Sequence, residues 1–206
     1  MAAKLSERAR SFWTIDARSG VARLAESPAP LERVSRASAH DRLFWRRARA
    51  RQSDLDSDQR ALRRQHGLPV VRPGNCWQFP VSAPGALLYL GDGHAVQGDG
   101  EIVGAGIETS FEIEFTVRVR KGRRIGWPRG ETADFIFTVG NARLLGQALQ
   151  HATTEMLNWL AADFGLDAIA GSHLLGQCVR YNVANVLNPA YPAACQLAKR
   201  ALPARK

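Results

Sequence analysis

Between residues 111 and 160 the hydrophobic period of the chain changes once, and this change constrains the fold more than any other feature. Phe111, Ile113, Phe115, Val117 and Val119 alternate with Glu112, Glu114, Thr116, Arg118 and Arg120. A period of 2 sustained over that length predicts a strand with one apolar and one wet face. Phe135–Val139 is apolar on both faces and predicts a buried strand. Leu145, Ala148, Leu149, Ala152, Met156, Trp159 and Leu160 then recur at helical spacing. Asn141 is the expected N-cap of that helix and Gly165 its C-terminal glycine. A shorter helix is expected from Asp167 to Cys178. Upstream, Phe12–Asp16 and Val21–Ala25 read as a hairpin, and Trp77–Val81 and Ala86–Leu90 as strands around Ala83-Pro84-Gly85. Strands first and helices after predict an α+β fold: antiparallel sandwich or barrel-like strands followed by C-terminal helices.

The chain of 206 residues is long enough for a real core, and no apolar run in it approaches a membrane span. The start, MAAKLSERAR, lacks the apolar middle of a secretory signal. Cys76, Cys178 and Cys195 are odd in number and form no CxxC pair. A reducing cytoplasm is the expected location. The net charge of +9 raises nucleic acid as a partner. Residues 35–66, however, hold nine Arg and four Asp with no Lys and no Glu. Such a run is more often solvated than a binding surface, and it contains no recognisable nucleic-acid motif.

The densest chemistry lies in Gly91–Glu101, GDGHAVQGDGE. Four glycines there are expected to turn the backbone sharply and gather Asp92, His94, Asp99 and Glu101. Carboxylates with an imidazole suit a divalent metal, and a spare carboxylate suits proton transfer to or from an attacking water. Gln97 is placed to bind a substrate amide. The plain alternative is a Gly-Asp turn with solvated acids. Elsewhere the signals are weaker. His173 is expected in packing, Cys178 and Cys195 as buried structural thiols, and Asn182 and Asn185 in structural hydrogen bonds or in a loop beside the site. Ser82 and Ser110 lack a nucleophile-elbow context.

The words LYLGDGHAVQGDGE and GAGIET, with FPVSAPGALL, VRYNVANVLNPAY and CQLAKRAL, resemble the acetamidase/formamidase family from Gly67 to about Leu202. The resemblance implies a metal-associated hydrolase that splits short linear amides, formamide or acetamide, into ammonia and a carboxylate. It places Asp92 and His94 in the metal-side part of the family word and Asp99 and Glu101 in its acid/base part, a division that follows from side-chain chemistry; Gln97, as the amide-binding group, joins Asp99 and Glu101 as a catalytic candidate. The expected ion is divalent, zinc ahead of calcium, with no organic cofactor. A small amide is then the substrate and a homo-oligomer is an open possibility. A non-catalytic remnant and an Arg-rich nucleic-acid binder are the alternatives.

FWTIDARSGVARLA also resembles the family, whereas residues 35–66 do not. Three regions follow: a family-like N-terminal fragment with a hairpin (1–34), an Arg-rich irregular segment (35–66), and the family-like C-terminal domain (67–206). The middle region is consistent with reading out of frame. Arg63-Arg64-Gln65-His66 can be coded CGG-CGG-CAA-CAT, and one base later, running into the Gly67 codon, this reads GGC-GGC-AAC-ATG, the family word GGNM. The same shift on Leu43–Ala48 permits CFGVAP. The family's upstream portion, by the same resemblance, has no counterpart in this sequence.

Overall fold

The computed structural model describes residues 12–16, 21–24, 33–35, 42–47, 74–81, 83–85, 87–102, 104, 106–110 and 112–206, with backbone alone at 33–35, 42–47, 89–90 and 92–93. Its core is built around Phe135–Ala142, here β9, every residue of which beyond Phe135 is buried. β9 runs between Arg129–Glu131 (β8) and Tyr191–Ala198 (β11). Cys76–Gln78 (β5) and Arg180–Val183 (β10) close the two edges. All four pairings in this five-stranded sheet are antiparallel. A strand paired on both edges and covered on both faces cannot alternate, which is why Phe135–Val139 reads as a continuous apolar run.

The helix Leu145–Trp159 (α1) lies across β9 and β11. Its buried residues Ala152, Met156 and Trp159 meet Ile136, Cys195 and Leu197, and Ala148 packs with Ala142 and Ala193. The approach is close because the facing residues are small. A Cβ at Gly140 would collide with the carbonyl of Ala148 and lie 2.6 Å from the amide nitrogen of Ala152. Thr138 ties the two layers by donating to the Ala152 carbonyl at 2.6 Å. Each fully buried large side chain here contributes about 1.5–3 kcal/mol. The helix widens into one π turn over Leu160–Phe164 and stops at Gly165, which takes the left-handed conformation at φ 70. Ala168–Cys178 (α2) follows, capped by Asp167, whose carboxylate accepts from the Ala170 amide.

Two smaller sheets lie upstream in the chain. Trp13–Asp16 (β1), Val21–Leu24 (β2) and Arg33–Ser35 (β3) form a meander, so the expected N-terminal hairpin is present. Arg42–Arg47 (β4), Leu88–Val96 (β6) and Ile107–Glu108 (β7) form the other. β4 therefore gives strand structure to part of the Arg-rich stretch, while residues 48–66 lie outside those described. The class is α+β with antiparallel sheets, and among the described residues there is no closed barrel.

Several expectations need correction. Residues 112–120 join no β-ladder among the described residues, and both of their faces are exposed. Asn141 belongs to β9; the N-cap of α1 is Leu144, which supplies no side-chain bond. His173 and Cys178 are exposed on α2, whose buried residues are Gly171 and Leu175. Cys195 is buried as expected, and burial pushes its thiol up to about 12. β10 and β11 were unforeseen. The PAACQLA segment is mostly Ala and Cys, small residues with little strand signature.

A buried ion pair also lay beyond the sequence reading. Arg129 Nη1 stands 3.6 Å from Glu155 Oε1, with both side chains almost wholly enclosed. Arg129 also donates to Gln78 at 3.0 Å and its guanidinium lies 4.4 Å from the Trp159 ring centroid. Glu155 accepts from the amides of Gly126 and Trp127. Burial lowers Arg129 to about 10 despite the neighbouring carboxylate. Burial likewise raises Glu155, against the pull of those two amides and of Arg129.

Candidate functional site

The loop word does not turn where its glycines predict. β6 carries straight through Gly91-Asp92-Gly93-His94 as far as Val96. Its ladder with β4 slips between Arg42↔His94 and Phe44↔Gly91, a bulge that falls at Asp92-Gly93. Bulges re-aim side chains and are frequent beside functional sites. The turn comes later, as a single 3-10 turn at Asp99–Glu101. Gly98 sits at φ −77, whereas Gly100 takes φ 76 and Glu101 φ 42. A buried glutamate in the left-handed region is strained, and surrounding structure must hold it there.

That structure is the 184–188 segment between β10 and β11. Asn185 donates to Glu101 Oε2 at 2.6 Å, and both side chains are buried. The other end of the Asn185 carboxamide accepts from the amides of Leu187 and Asn188 at 2.9 Å. The Val186 amide reaches the Gly100 carbonyl at 2.8 Å. A Cβ on Gly104 would collide with Leu187, so that glycine permits the two loops to close.

His94 is the centre of the second contact set and is 1% exposed. Its Nδ1 lies 2.9 Å from Gln97 Oε1, and Gln97 Nε2 donates to the Ala184 carbonyl at 3.3 Å. Its Nε2 lies 2.9 Å from Glu108 Oε1, on β7. With Gln97 oriented this way, both ring nitrogens face oxygen acceptors. Gly106 makes room for the ring: a Cβ there would sit 2.5 Å from Nδ1. Glu108 is 62% exposed, so the buried imidazole holds a carboxylate that solvent can reach.

The structure therefore brings together His94 and Gln97, and joins Glu101 to the same 184–188 segment. Asp99 is exposed on the turn. The Asp92 side chain lies outside the described residues, its backbone being in β6. Gln97 is engaged at both ends of its carboxamide within the protein, which makes it a positioning group for His94. Glu108 was missed. It lies in GAGIET, and its value becomes visible only when β7 pairs His94 with Glu108. Asn185, read as structural or as belonging to a loop beside the site, holds Glu101 directly. Among the described residues no three His, Cys, Asp or Glu side chains converge as a metal site. His94 and Glu108 alone fall short of the three or four protein ligands zinc takes.

Comparison with known proteins agrees with the loop word. Residues 61–143 match the acetamidase/formamidase family. Among solved structures, an acetamidase from Yersinia enterocolitica is 34% identical with a TM-score of 0.59, over 66% of this chain and 41% of its own. An acetamidase from Bacillus halodurans is 33% identical with a TM-score of 0.60, over 64% and 45%. A protein from Thermoanaerobacter tengcongensis described as a predicted acetamidase/formamidase is 27% identical with a TM-score of 0.56, over 64% and 44%. No curated protein sequence matches. The chain spans less than half the length of each of these solved proteins. Residues 61–143, and with them the loop that carries His94, Gln97, Glu101 and Glu108, are acetamidase/formamidase family sequence on a fold shared with solved acetamidases.

Proposed function

We propose that this chain carries the hydrolytic site of an amidase acting on the carbon–nitrogen bond of short linear amides, formamide and acetamide first. The observation that supports this reading best is the 2.9 Å contact between buried His94 and solvent-reachable Glu108 within family sequence. In this reading Glu108 takes the proton from an attacking water, and the imidazole fixes the position of the carboxylate. The same proton is then available to the departing amine, so that ammonia and a carboxylate leave. Gln97 sets the ring orientation of His94. Glu101 and Asn185 lock the loop, and Asp99 stands at its exposed rim.

The divalent ion, zinc ahead of calcium, belongs to the same proposal. The described ligands do not complete a site for it, and no step above is routed through it. Asp92 is the further ligand the sequence supplies. The test is ammonia release from formamide and acetamide, with and without added zinc or calcium. Release that falls with Glu108→Gln supports the reading, and no release under any condition overturns it.

A second reading is a non-catalytic protein that keeps the sheet and helix core. Folded protein without ammonia release would select it. A cytoplasmic location is part of the proposal. Among the described residues, no helix is long and apolar enough to cross a membrane.

A further inference from the structure

The segment between β10 and β11 fastens the loop word at two side chains, and the two fastenings share one peptide. Asn185 donates to Glu101 Oε2 at 2.6 Å through its side chain. The carbonyl of the Ala184–Asn185 peptide accepts from Gln97 Nε2 at 3.3 Å. That peptide is held from both ends. The Ala184 amide donates to the Pro192 carbonyl at 2.9 Å, and Asn185 Oδ1 accepts from the amides of Leu187 and Asn188. Those two amides fix which end of the Asn185 carboxamide is oxygen, so its nitrogen faces Glu101. The Ala184 carbonyl does the same for Gln97. In the opposite orientation Gln97 Oε1 would lie against the carbonyl oxygen, two acceptors with no proton between them. Gln97 Oε1 is thereby turned to His94 Nδ1, 2.9 Å away. His94, Gln97, Glu101, Ala184 and Asn185 are all buried, and this chain of contacts reaches solvent at Glu108, 2.9 Å from His94 Nε2.

We propose that Asn185 is a positioning residue for the His94–Glu108 pair, acting through the Ala184 carbonyl and Gln97. Its effect on rate rests on the amidase reading above; the relay itself rests on the hydrogen bonds. Asn185 holds the Ala184–Asn185 peptide in one plane, and the carbonyl of that peptide holds the Gln97 carboxamide in one orientation. Gln97 then accepts the Nδ1 hydrogen and fixes the plane of the His94 ring, and the ring places the Glu108 carboxylate. Without Asn185 the peptide is free to turn. The Gln97 carboxamide then samples both orientations, and one of them presents its NH2 group to the Nδ1 hydrogen. The imidazole loses its single orientation, and Glu108 loses its fixed place beside the attacking water. A misplacement of about 1 Å costs up to roughly 100-fold in rate. None of the relay's buried members meets the substrate in this reading, so the loss falls on kcat and not on KM.

The experiment compares the full chain with Asn185→Ala, Gln97→Met and the double variant in two measurements. The first is formamide hydrolysis, corrected for the folded fraction. Each single variant lowers kcat roughly tenfold or more, with KM changed by less than about threefold. The double variant falls little further than either single one, because both substitutions cut the same relay. The second is the proton–nitrogen NMR correlation of the His94 ring, assigned by its loss in His94→Asn. In the parent chain the buried Nδ1 hydrogen bonded to Gln97 gives a slowly exchanging signal, and in both single variants that signal is lost or displaced. Gln97→Met leaves the Asn185–Glu101 bond in place, so it tests the relay in a chain whose turn is intact. An unchanged His94 signal in Asn185→Ala, an unchanged kcat per folded molecule, or losses that multiply in the double variant each overturns the proposal. A parent chain that hydrolyses nothing removes the amidase reading, and the His94 signal then decides the relay by itself.

Discussion

Asn185 and Glu101 stand 84 residues apart in sequence and are joined by a 2.6 Å hydrogen bond between buried side chains. This bond fastens the strained turn of the loop word to the segment between β10 and β11. Asn185→Ala removes a hydrogen bond to a buried carboxylate and the support of two backbone amides. The expected loss is about 2 kcal/mol of unfolding free energy, read from urea titration. A loss within error of zero would mean that the turn holds itself.

Gly106 is required by the imidazole it faces. Gly106→Ala places a methyl group within 2.5 Å of His94 Nδ1, so the ring must rotate away from Gln97 or from Glu108. Stability falls by roughly 1–3 kcal/mol. Hydrolysis falls by a larger factor than this loss of folded protein explains, when both are measured at a temperature where the variant stays folded. Equal activity per folded molecule would separate His94 from the chemistry.

The Arg129–Glu155 pair sets a pH dependence whose sign follows from burial. Glu155 titrates above its ordinary 4.5 in the folded chain. Between 4.5 and that higher value the folded state binds more proton than the unfolded state, so stability falls as pH rises through the window. Glu155→Gln removes this slope, visible as the difference between the urea midpoints of the two proteins against pH. A wild-type-minus-variant difference that grows with pH across the window would contradict the assignment.

The gene offers a test of the Arg-rich stretch. If residues 35–66 are read out of frame, the codons for Arg63-Arg64-Gln65-His66 read one base later give GGNM. Nucleotide sequence decides this directly. Codons that cannot yield that word exclude the frame slip.

How much the sequence disclosed depends on the kind of signal. Phe135–Val139 and the stripe from Leu145 to Leu160 were legible because their periods report burial directly. β10 and β11 were not, since Ala193, Ala194 and Cys195 owe their burial to close packing in the sheet centre and not to strand propensity. Residues 112–120 show the opposite failure: a strong alternation with no ladder among the described residues, because a strand needs a partner that local pattern does not specify. Within the site, the loop word identified His94, Gln97 and Glu101, all buried. It could not give Glu108, which becomes a partner of His94 only through β6–β7 pairing. The glycines misled for a physical reason. They were read as turns, yet Gly91 and Gly93 lie within β6, and only Gly100 of the four is found at positive φ among the described residues.

The central claim is that the carboxylate held by His94 performs hydrolysis. Its most direct test is ammonia release from formamide by the parent chain, Glu108→Gln and Asp99→Asn, each with and without added zinc. The account predicts release by the parent chain, a fall of roughly 100-fold or more for Glu108→Gln with the fold retained, and a much smaller change for Asp99→Asn. Release that is undiminished in Glu108→Gln would contradict it.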